Sequence, residues 1–538
     1  MKTSWFRYLT IVLLCLPVLV PIGVVLFSLT TGESESWSHL RDNLLIEYIA
    51  NTFSLAILVG SQTLIIGVGC AWLTTAFSFP GMRFFSWALV LPLAVPAYIA
   101  GYVYAELFEY AGPLQTVVRQ VLFEGSSQIN LINIRSIWGA SFVISMVLFP
   151  YVYLLTRISF QKQSSVLRSA ASSLGAGTTG SFFKLILPLS RPAIAGGTAL
   201  VLMETMADYG VVEHFGVPTF TTGIFRTWYG MGDQNAALQL SACLFLLVAI
   251  LVTAEQFFVR GSTFNPTSDF KQSKPTQITG FSSWMATLAC SLPLLFGFIV
   301  PLSYLLNHAL QENFADIQNV LSQYMINSIQ VASIGAAACV GASLWLAYTN
   351  RAQKRLLILS GIKLSTLGYA LPGVILAIGL LVPLTSVDHL LAEPISNILD
   401  TKPKLWLTGS ILALVAVYFA RFLTVSYNSI EGGMAQLDTK FDLAASTLGA
   451  TTAKILSNIH FPLLSGSLMT GFLLVFIDIT KELPATLILR PFNFETLSTR
   501  IYRFASDERL SEASVECLIL IALGLVLTSL LISSTKNK

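Results

Sequence analysis

Four carboxylates stand inside two strongly apolar stretches of this 538-residue chain. Glu204 and Asp208 are four residues apart in one stretch, and Asp478 and Glu482 are four residues apart in the other. Residues with this spacing share one face of a helix. A carboxylate inside a bilayer is costly unless it meets water or a partner. The pattern therefore indicates either a pathway for a cation or structural pairing with a basic residue, such as Lys481 or an arginine elsewhere in the chain.

The composition places both stretches in a membrane. Hydrophobic residues make up 54% of the chain and charged residues only 11%, whereas a soluble domain carries about 25% charged residues. A membrane-spanning helix needs about 20 apolar residues, and twelve segments of the chain qualify. The predicted spans are 8–29, 52–77, 84–108, 137–155, 193–215 and 237–258 in the first half, and 284–306, 328–348, 356–384, 405–427, 465–487 and 515–533 in the second.

Basic residues predict how these spans are oriented. Most of the 31 Lys and Arg residues, Arg421 among them, are assigned to segments on the same side as the N-terminus. Because basic residues favour the cytoplasmic side, both termini are predicted to be cytoplasmic. Six spans per half would give both halves the same orientation, which is a parallel repeat. The net charge of +3 fits this bias and gives no indication of nucleic-acid binding.

A shared motif shows that the two halves are related. In a cytoplasmic loop before the fifth span of each half, an alanine pair is followed by a glycine and then a proline. The motif residues are Ala170, Ala171, Gly175, Leu187 and Pro188 in the first copy, and Ala444, Ala445, Gly449, Ile459 and Pro462 in the second. The offset of 274 residues also pairs Glu204 with Asp478, Asp208 with Glu482, Thr222 with Thr496, Arg226 with Arg500, and Asp233 with Asp507. A constant offset over this stretch predicts a tandem duplication.

The duplication predicts the domain organisation. We expect a first unit at 1–260 with a core at about 51–258, a polar cytoplasmic linker at 261–282, and a second unit at 283–538 with a core at about 327–533. Within each loop, Gly175 and Gly449 are expected to end a short helix in the left-handed conformation. Pro188 and Pro462 are expected to stand just before the next span.

The loop resembles the EAA loop of binding-protein-dependent ABC permeases, in which Glu-Ala-Ala is followed by Gly and then by Leu-Pro. Ser169 and Leu443 stand in place of the glutamate, although Asp442 is adjacent, and Phe461 replaces the leucine. The resemblance implies an all-α fold of twelve transmembrane helices in the bacterial inner membrane, built from two type-1 permease units. It implies as partners a separate cytoplasmic ATPase, as a homodimer, and a periplasmic binding protein.

Segments near the carboxylates narrow the resemblance. Residues 203–210, 213–228, 481–486 and 490–497 are similar to the ferric iron permeases, and this implies Fe³⁺ as the substrate. The ion would then pass Glu204, Asp208, Asp478 and Glu482, and the binding protein would dock on Arg226, Arg500, Arg503 and Arg509. Fused permeases for thiamine or phosphonates share the architecture and stay as alternatives.

Other sequence features bear on the class of function. A secondary transporter that relays protons through the four carboxylates is a second hypothesis, but it gives the duplicated loop no purpose. The GxGxxG pattern at 175–180 follows no predicted strand and lacks the P-loop lysine, so ATP hydrolysis is assigned to another protein. No enzymatic activity, cofactor or fixed metal site is predicted. Tyr98, Tyr102 and Tyr104 could offer oxygen ligands to Fe³⁺, although their position favours a packing role.

Overall fold

The computed structural model describes residues 2–122, 133–162, 177–259, 275–311, 314–353, 355–399 and 405–536. Eight helices in these ranges are long and apolar enough to cross a membrane, and three bent helix pairs raise the number to eleven if each pair is one span. The helix Ser514–Lys536 covers the remaining predicted segment. All twelve predicted segments therefore fall on helices, and the all-α membrane fold is confirmed. Except at their ends, helices satisfy their backbone hydrogen bonds internally, which a bilayer requires.

The described helices of the first half are α1 (Lys2–Phe27), α2 (Glu35–Asn43), α3 (Leu45–Ala76), α4 (Met82–Ala88), α5 (Ala97–Phe108), α6 (Pro113–Leu122), α7 (Ile137–Lys162), α8 (Thr178–Ser181), α9 (Leu187–Leu189), α10 (Arg191–Ala207), α11 (Gly210–His214), α12 (Phe220–Phe225) and α13 (Gln234–Val259). Those of the second half are α14 (Phe281–Leu294), α15 (Val300–Ala309), α16 (Phe314–Ala352), α17 (Leu356–Ser365), α18 (Gly373–Leu399), α19 (Ile411–Gln436), α20 (Lys440–Thr447), α21 (Thr452–Ile455), α22 (Phe461–Leu463), α23 (Ser465–Lys481), α24 (Pro484–Leu489), α25 (Leu497–Ser506) and α26 (Ser514–Lys536).

Short irregular turns join several of these helices. Four are 3₁₀ turns, at Ser28–Thr30, Leu91–Ala94, Leu367–Ala370 and Leu510–Ala513. Four are π-helical, at Phe182–Ile186, Arg226–Gly230, Leu295–Ile299 and Leu456–His460. Within the described ranges, the strands β1 (Phe77–Ser78) and β2 (Thr276–Gln277) form a parallel pair. This pair holds the chain that precedes the second half against the end of α3.

Three pairs of consecutive helices are sharply bent. Within the third predicted span, the chain turns by 88° between Met82–Ala94 and Ala97–Val121, and Pro96 stands at the break. Just before the fifth predicted span it turns by 63° between Phe182–Leu189 and Arg191–Ala207, and just before the eleventh it turns by 72° between Leu456–Leu463 and Ser465–Lys481. Proline removes a backbone donor and clashes with the preceding turn. In both halves a π-helical turn precedes the proline, at Phe182–Ile186 and at Leu456–His460, and the bend follows it. The two bends are therefore the same local feature.

The first helix of each half packs against the other half. Ile11 and Cys15 of α1 lie in one core cluster with Ile358 of α17. Reciprocally, Cys290 of α14 lies in a core cluster with Val143 of α7. The two halves are therefore interlocked, and each completes the core of its neighbour.

Candidate functional site

Asp208 and Glu482 break the fifth and eleventh spans. Each carboxylate accepts the backbone N–H groups of the residues three and four positions ahead, at 3.1 and 3.2 Å for Asp208 and at 3.2 and 3.1 Å for Glu482. The first N–H groups of a helix have no internal partner, so an acidic side chain stabilises the start of α11 and of α24. The prediction of continuous spans at 193–215 and 465–487 is therefore wrong at the outer ends. The preceding helices stop at Ala207 and Lys481.

The outer segments that contain α12 and α25 correspond to each other, but not with the predicted offset of 274 residues. Their equivalent residues lie three positions further apart. Thr219 forms a reciprocal capping box with Thr222, and Thr496 forms the same box with Thr499. Thr496 thus corresponds to Thr219, and the predicted pairs Thr222–Thr496, Arg226–Arg500 and Asp233–Asp507 are wrong. An insertion of three residues between Glu482 and Thr496 causes the shift. The sequence hides this insertion because a threonine is followed by an arginine four residues later in both segments. An alignment without the insertion therefore still pairs threonine with threonine and arginine with arginine.

The structural duplication itself is supported by matched long-range hydrogen bonds. Asn51 Nδ2 donates to the carbonyl of Pro218 at 3.0 Å, and Asn327 Nδ2 donates to the carbonyl of Glu495 at 3.0 Å. The hydroxyl of Thr52 and that of Ser328 then accept the backbone N–H two residues beyond each carbonyl. The second span of each half is thus tied to the same place on the same outer segment.

The four carboxylates line one cavity of about 150 Å³ between the two halves. The first half contributes Glu204 and Asp208, and the second contributes Asp478 and Glu482. Several aromatic and basic side chains complete the lining, namely Tyr98, Tyr151, Tyr209, Arg421 and Lys481. The cavity is therefore polar, and its charged groups come from residues that sequence analysis had separated into different segments.

Arg421 is the basic residue that the sequence analysis misplaced. It lies inside the long helix α19 and not in a cytoplasmic segment, and its side chain is only 8% exposed. Its Nη1 donates to Glu482 Oε1 at 2.7 Å, and its Nη2 is 3.9 Å from Glu204 Oε2. The sequence already indicated a position inside the membrane, because Arg421 falls within the predicted span 405–427. For Glu482, structural pairing is thus real, and its partner is Arg421.

Two further details define the charge pair. A side chain at Gly373 would overlap Arg421 and Glu482, so this glycine leaves room for them. Lys481 does not pair with Glu482, since its Nζ donates to the carbonyl of Leu93 at 2.6 Å. The lysine thereby joins the eleventh span to the turn that bends the third.

Glu204 and Asp478 are engaged far less than the two capping carboxylates. The Glu204 side chain is 29% exposed, and its charged contact with Arg421 is long. Asp478 lines the cavity, and no hydrogen bond or ion pair to it occurs within the described residues. Two carboxylates therefore shape the helices, whereas the other two face the cavity space.

The loop that contains the second copy of the motif has the predicted glycine turn. Helix α20 contains Ala444 and Ala445, and Gly449 follows it with φ of 76°. The N–H of Gly449 donates to the carbonyl of Ser446, and that of Ala450 donates to the carbonyl of Ala445, both at 3.0 Å. These two bonds define a Schellman motif. The left-handed conformation expected at Gly449 is confirmed.

The remaining motif residues are placed as follows. Ile459 lies in the π-helical turn and Pro462 in α22, while Leu187 and Pro188 lie in α9. Ala170, Ala171 and Gly175 lie outside the described residues, and so do parts of the linker predicted at 261–282. The first loop can thus be compared with the second only from residue 177 onward.

A partly buried cluster of Arg351, Asp442 and His460 holds the second loop in place. Asp442 of α20 accepts from Arg351 Nε at 2.5 Å and contacts His460 Nε2 at 2.6 Å. Arg351 also donates to the carbonyls of Met434 and Leu437. Sequence analysis noted Asp442 only as a neighbour of the missing glutamate. His460 is the last residue of its π-helical turn, and the equivalent residue of the first half is Ile186, which cannot form an ion pair.

The four candidate docking arginines differ in accessibility. Arg226 is 3.6 Å from Glu213, Arg503 donates to Glu495 at 2.7 Å, and both are about half exposed. Arg509 forms two hydrogen bonds to Glu512, which lower the pKa of that carboxyl.

Arg500 lies in a different environment. It pairs with Glu516 at 2.8 Å, its guanidinium lies over the ring of Tyr324, and its side chain is 12% exposed. This arrangement leaves little of Arg500 exposed, and Arg226, Arg503 and Arg509 are the more accessible of the four candidates.

Comparison with known proteins supports the class that fold and loops define. The family model described as "Binding-protein-dependent transport system inner membrane component" matches residues 339–535. The Fe(3+)-transport system permease protein FbpB 2 of Haemophilus influenzae is 23% identical over 532 residues, which are 97% of this chain and 96% of that protein.

Two other relatives match over shorter stretches. The probable sulfate transport permease cysT of Nephroselmis olivacea is 28% identical over 39% of this chain and 71% of its own length. The molybdenum transport permease ModB of Escherichia coli is 27% identical over 42% of this chain and 93% of its own length. Residues 339–535 thus match the inner membrane component of binding-protein-dependent transport systems. The chain is similar to a ferric iron permease over nearly its full length, and the relatives named here are all transport permeases.

Proposed function

We propose that this permease forms the membrane pathway of an ATP-driven importer for ferric iron. A cytoplasmic ATPase dimer would supply the energy, and a periplasmic binding protein would deliver the ion. The observation that carries the choice of substrate is the central cavity, where four carboxylates face two basic side chains. If all are ionised, the acidic groups exceed the basic ones by two. Such a cavity attracts a cation and repels the oxyanions sulfate and molybdate.

The chemistry of the cavity fits a hard, multivalent cation. Carboxylate oxygens are hard donors, which suit ions that bind oxygen ligands. Glu204 and Asp478 face the cavity space, and we assign them the contact with the ion. Asp208 and Glu482 hold the broken helices in shape, and irregular backbone at membrane depth is tolerated where it lines a cavity. The full-length similarity to an iron permease supports this assignment.

The geometry also offers a mechanical connection between ATPase and cavity. The second loop leads through the turn Leu456–His460 and the bend into α23. The same helix carries Asp478 and ends at Lys481, directly before Glu482. A displacement of the loop by the ATPase would therefore move two cavity carboxylates directly, and the duplicated loop would do the same to Glu204 and Asp208. We place both termini and both loops in the cytoplasm, and the exposed outer arginines on the side of the binding protein.

Neutralising the two cavity-facing carboxylates should strongly reduce iron uptake. The double substitution Glu204→Gln with Asp478→Asn keeps the side-chain volumes but removes two charges that would contact the ion. Iron uptake should fall at least about tenfold, because a hydrogen bond or contact with a charged group contributes about 1.5–3 kcal/mol. Uptake of radioactive iron and the amount of permease in the membrane would be measured together.

The matched control is Glu47→Gln, which removes an exposed carboxylate remote from the cavity. It should leave uptake unchanged. Wild-type uptake by the double variant at normal membrane levels would exclude these carboxylates from the pathway.

Gly449→Val should uncouple transport without preventing insertion. A side chain at this position would touch nothing within 4 Å, so the cost is conformational, about 1–2 kcal/mol for a left-handed residue with a side chain. The loop should distort, and stimulation of ATP hydrolysis by loaded binding protein should fall. Gly449→Asn is the control, since asparagine tolerates this conformation. Normal stimulated ATPase activity with valine would show that the loop does not contact the ATPase.

Uptake by cells without the gene tests the substrate. Iron uptake should be lost, and it should return with the wild-type gene on a plasmid. Uptake of molybdate, sulfate, thiamine and phosphonates should be unchanged. Loss of thiamine uptake with normal iron uptake would instead favour the alternative substrate.

A further inference from the structure

We propose that the hydroxyl groups of Tyr98 and Tyr102 contact the transported ion on a route from an outer cavity to the central cavity. This proposal rests on the proposed function, because it assumes that a ferric ion crosses the protein. The outer cavity is small, about 20 Å³, and is lined by Tyr102, Glu106, Glu109, Arg135, His214, Ala505, Glu508 and Leu510. The two tyrosines lie between this cavity and the four carboxylates.

The residues form a ladder along one face of α5. Tyr98, Tyr102 and Glu106 follow one another at intervals of four residues, which places them one above the other on a helix. The ring centroids of Tyr98 and Tyr102 are 5.8 Å apart. Tyr98 lines the central cavity, whereas Tyr102 and Glu106 line the outer cavity. The ladder therefore joins the two cavities.

Neither hydroxyl has a hydrogen-bond partner within the described part of the chain. Tyr98 is 5% exposed and Tyr102 is 1% exposed. Burying a hydroxyl without a partner is costly. Other tyrosines nearby are satisfied, since Tyr104 donates to the carbonyl of Phe296 at 2.6 Å and Tyr304 donates to Glu106 at 2.6 Å. Compared with these neighbouring tyrosines, the hydroxyls of Tyr98 and Tyr102 lack a partner, which a passing ion would supply.

Gly210 brings the Tyr102 hydroxyl to the wall of the central cavity. A Cβ at Gly210 would overlap Tyr98 and would lie 3.3 Å from the Tyr102 hydroxyl oxygen. Gly210 itself lines the central cavity. The Tyr102 hydroxyl therefore lies beside a residue of the central cavity wall, while Tyr102 itself lines the outer cavity.

The second half shows that the fold does not require these tyrosines. Pro96 and Pro372 occupy equivalent breaks, so Val374 and Ile378 occupy the positions of Tyr98 and Tyr102. Both are fully buried in an apolar core. The same helix therefore packs well with aliphatic residues. The polar ladder exists only in the first half, and this favours a role in transport over a role in packing.

The chemistry suits the ion. Tyrosine oxygen is a known ligand of ferric iron in proteins. On contact, the phenol would release its proton to water and its oxygen would form a bond to Fe³⁺, with no change in oxidation state. The bond would break when the ion moves on and the phenol recovers a proton. Among the described residues no cluster of His, Cys, Asp and Glu could hold a resident metal ion, so the contact proposed is a transient one.

Phenylalanine substitutions test the proposal in vesicles containing the permease, its ATPase and its binding protein. Tyr98→Phe and Tyr102→Phe keep the rings but remove the unpartnered hydroxyls. Each should leave the melting temperature unchanged or raise it, and each should lower iron uptake about tenfold, since an ion contact is lost. Tyr104→Phe is the matched control on the same helix. It should lower the melting temperature, because its hydrogen bond is lost, and leave uptake per folded transporter unchanged.

The outcomes separate this proposal from the proposed function. If wild-type vesicles carry no iron, the proposed function fails and this proposal fails with it. If they carry iron and both variants carry it at the wild-type rate, only the tyrosine proposal is overturned. A fall in melting temperature together with normal uptake would also overturn it, since the hydroxyls would then be structural.

Discussion

Arg421→Met is expected to destabilise the permease by about 3–5 kcal/mol, the usual cost of leaving one member of a buried ion pair without its partner. Arg421 donates to Glu482 at 2.7 Å, and both side chains are buried. Removing the guanidinium leaves the Glu482 carboxylate without its counter-ion, next to the helix start that it caps. The melting temperature of the purified protein and the fraction that survives extraction from the membrane would both fall.

A second substitution makes this prediction specific. Adding Glu482→Gln should recover most of the loss, because a neutral amide needs no counter-ion and its oxygen can still cap α24. Replacing a whole buried pair is often close to neutral. The matched control is Arg503→Met, which breaks an ion pair with Glu495 that is about half exposed on the arginine side. That change should cost about 1 kcal/mol or less. A double variant no more stable than Arg421→Met alone would contradict the pairing.

Asp442→Asn is expected to weaken the coupling between substrate delivery and ATP hydrolysis by about 1–2 kcal/mol, roughly a tenfold loss. Asp442 binds Arg351 and His460, and so fastens α20 to the end of α16 and to the turn below α23. Without the charge, α20 should move independently of the helix that reaches the cavity. Transport would fall more than ATP hydrolysis, and loaded binding protein would stimulate the ATPase less.

A control in the same loop separates this effect from a general loss of charge. Asp438→Asn removes an exposed carboxylate that pairs with Lys440 at 3.3 Å. It should leave coupling unchanged. Equal behaviour of the two variants would show that the buried cluster does not transmit the movement, whatever its effect on stability.

Local features of the structure could be predicted from the sequence. Runs of apolar residues identify all twelve helical segments, because the bilayer restricts the backbone to helices. The turn at Gly449 was predictable for a similar reason, since a left-handed helix end favours glycine. The carboxylates were recognised as unusual by their surroundings alone.

Features that depend on tertiary contact could not be predicted in the same way. The sequence pattern places Asp208 inside one continuous helix, whereas in the structure the helix ends before Asp208 and α11 begins just after it. Arg421 looked cytoplasmic because the count of basic residues assigned it to an inner segment, although the predicted span contained it. The insertion before Thr496 was hidden by a coincidental repeat of threonine and arginine. These features depend on which elements contact one another or correspond in three dimensions. A single sequence carries little direct information about such relations.

The most direct test of the account is ATP-dependent iron uptake by vesicles that contain only the permease, a cytoplasmic ATPase and a ferric-loaded binding protein. We expect iron uptake to require ATP on the side of the membrane where the ATPase is bound. Uptake should continue when an ionophore collapses the proton gradient, and excess molybdate or sulfate should not reduce it. Uptake that stops with the ionophore while ATP stays high would contradict the ABC mechanism. ATP-driven uptake of molybdate, with none of iron, would contradict the assignment of the acidic cavity to a cation.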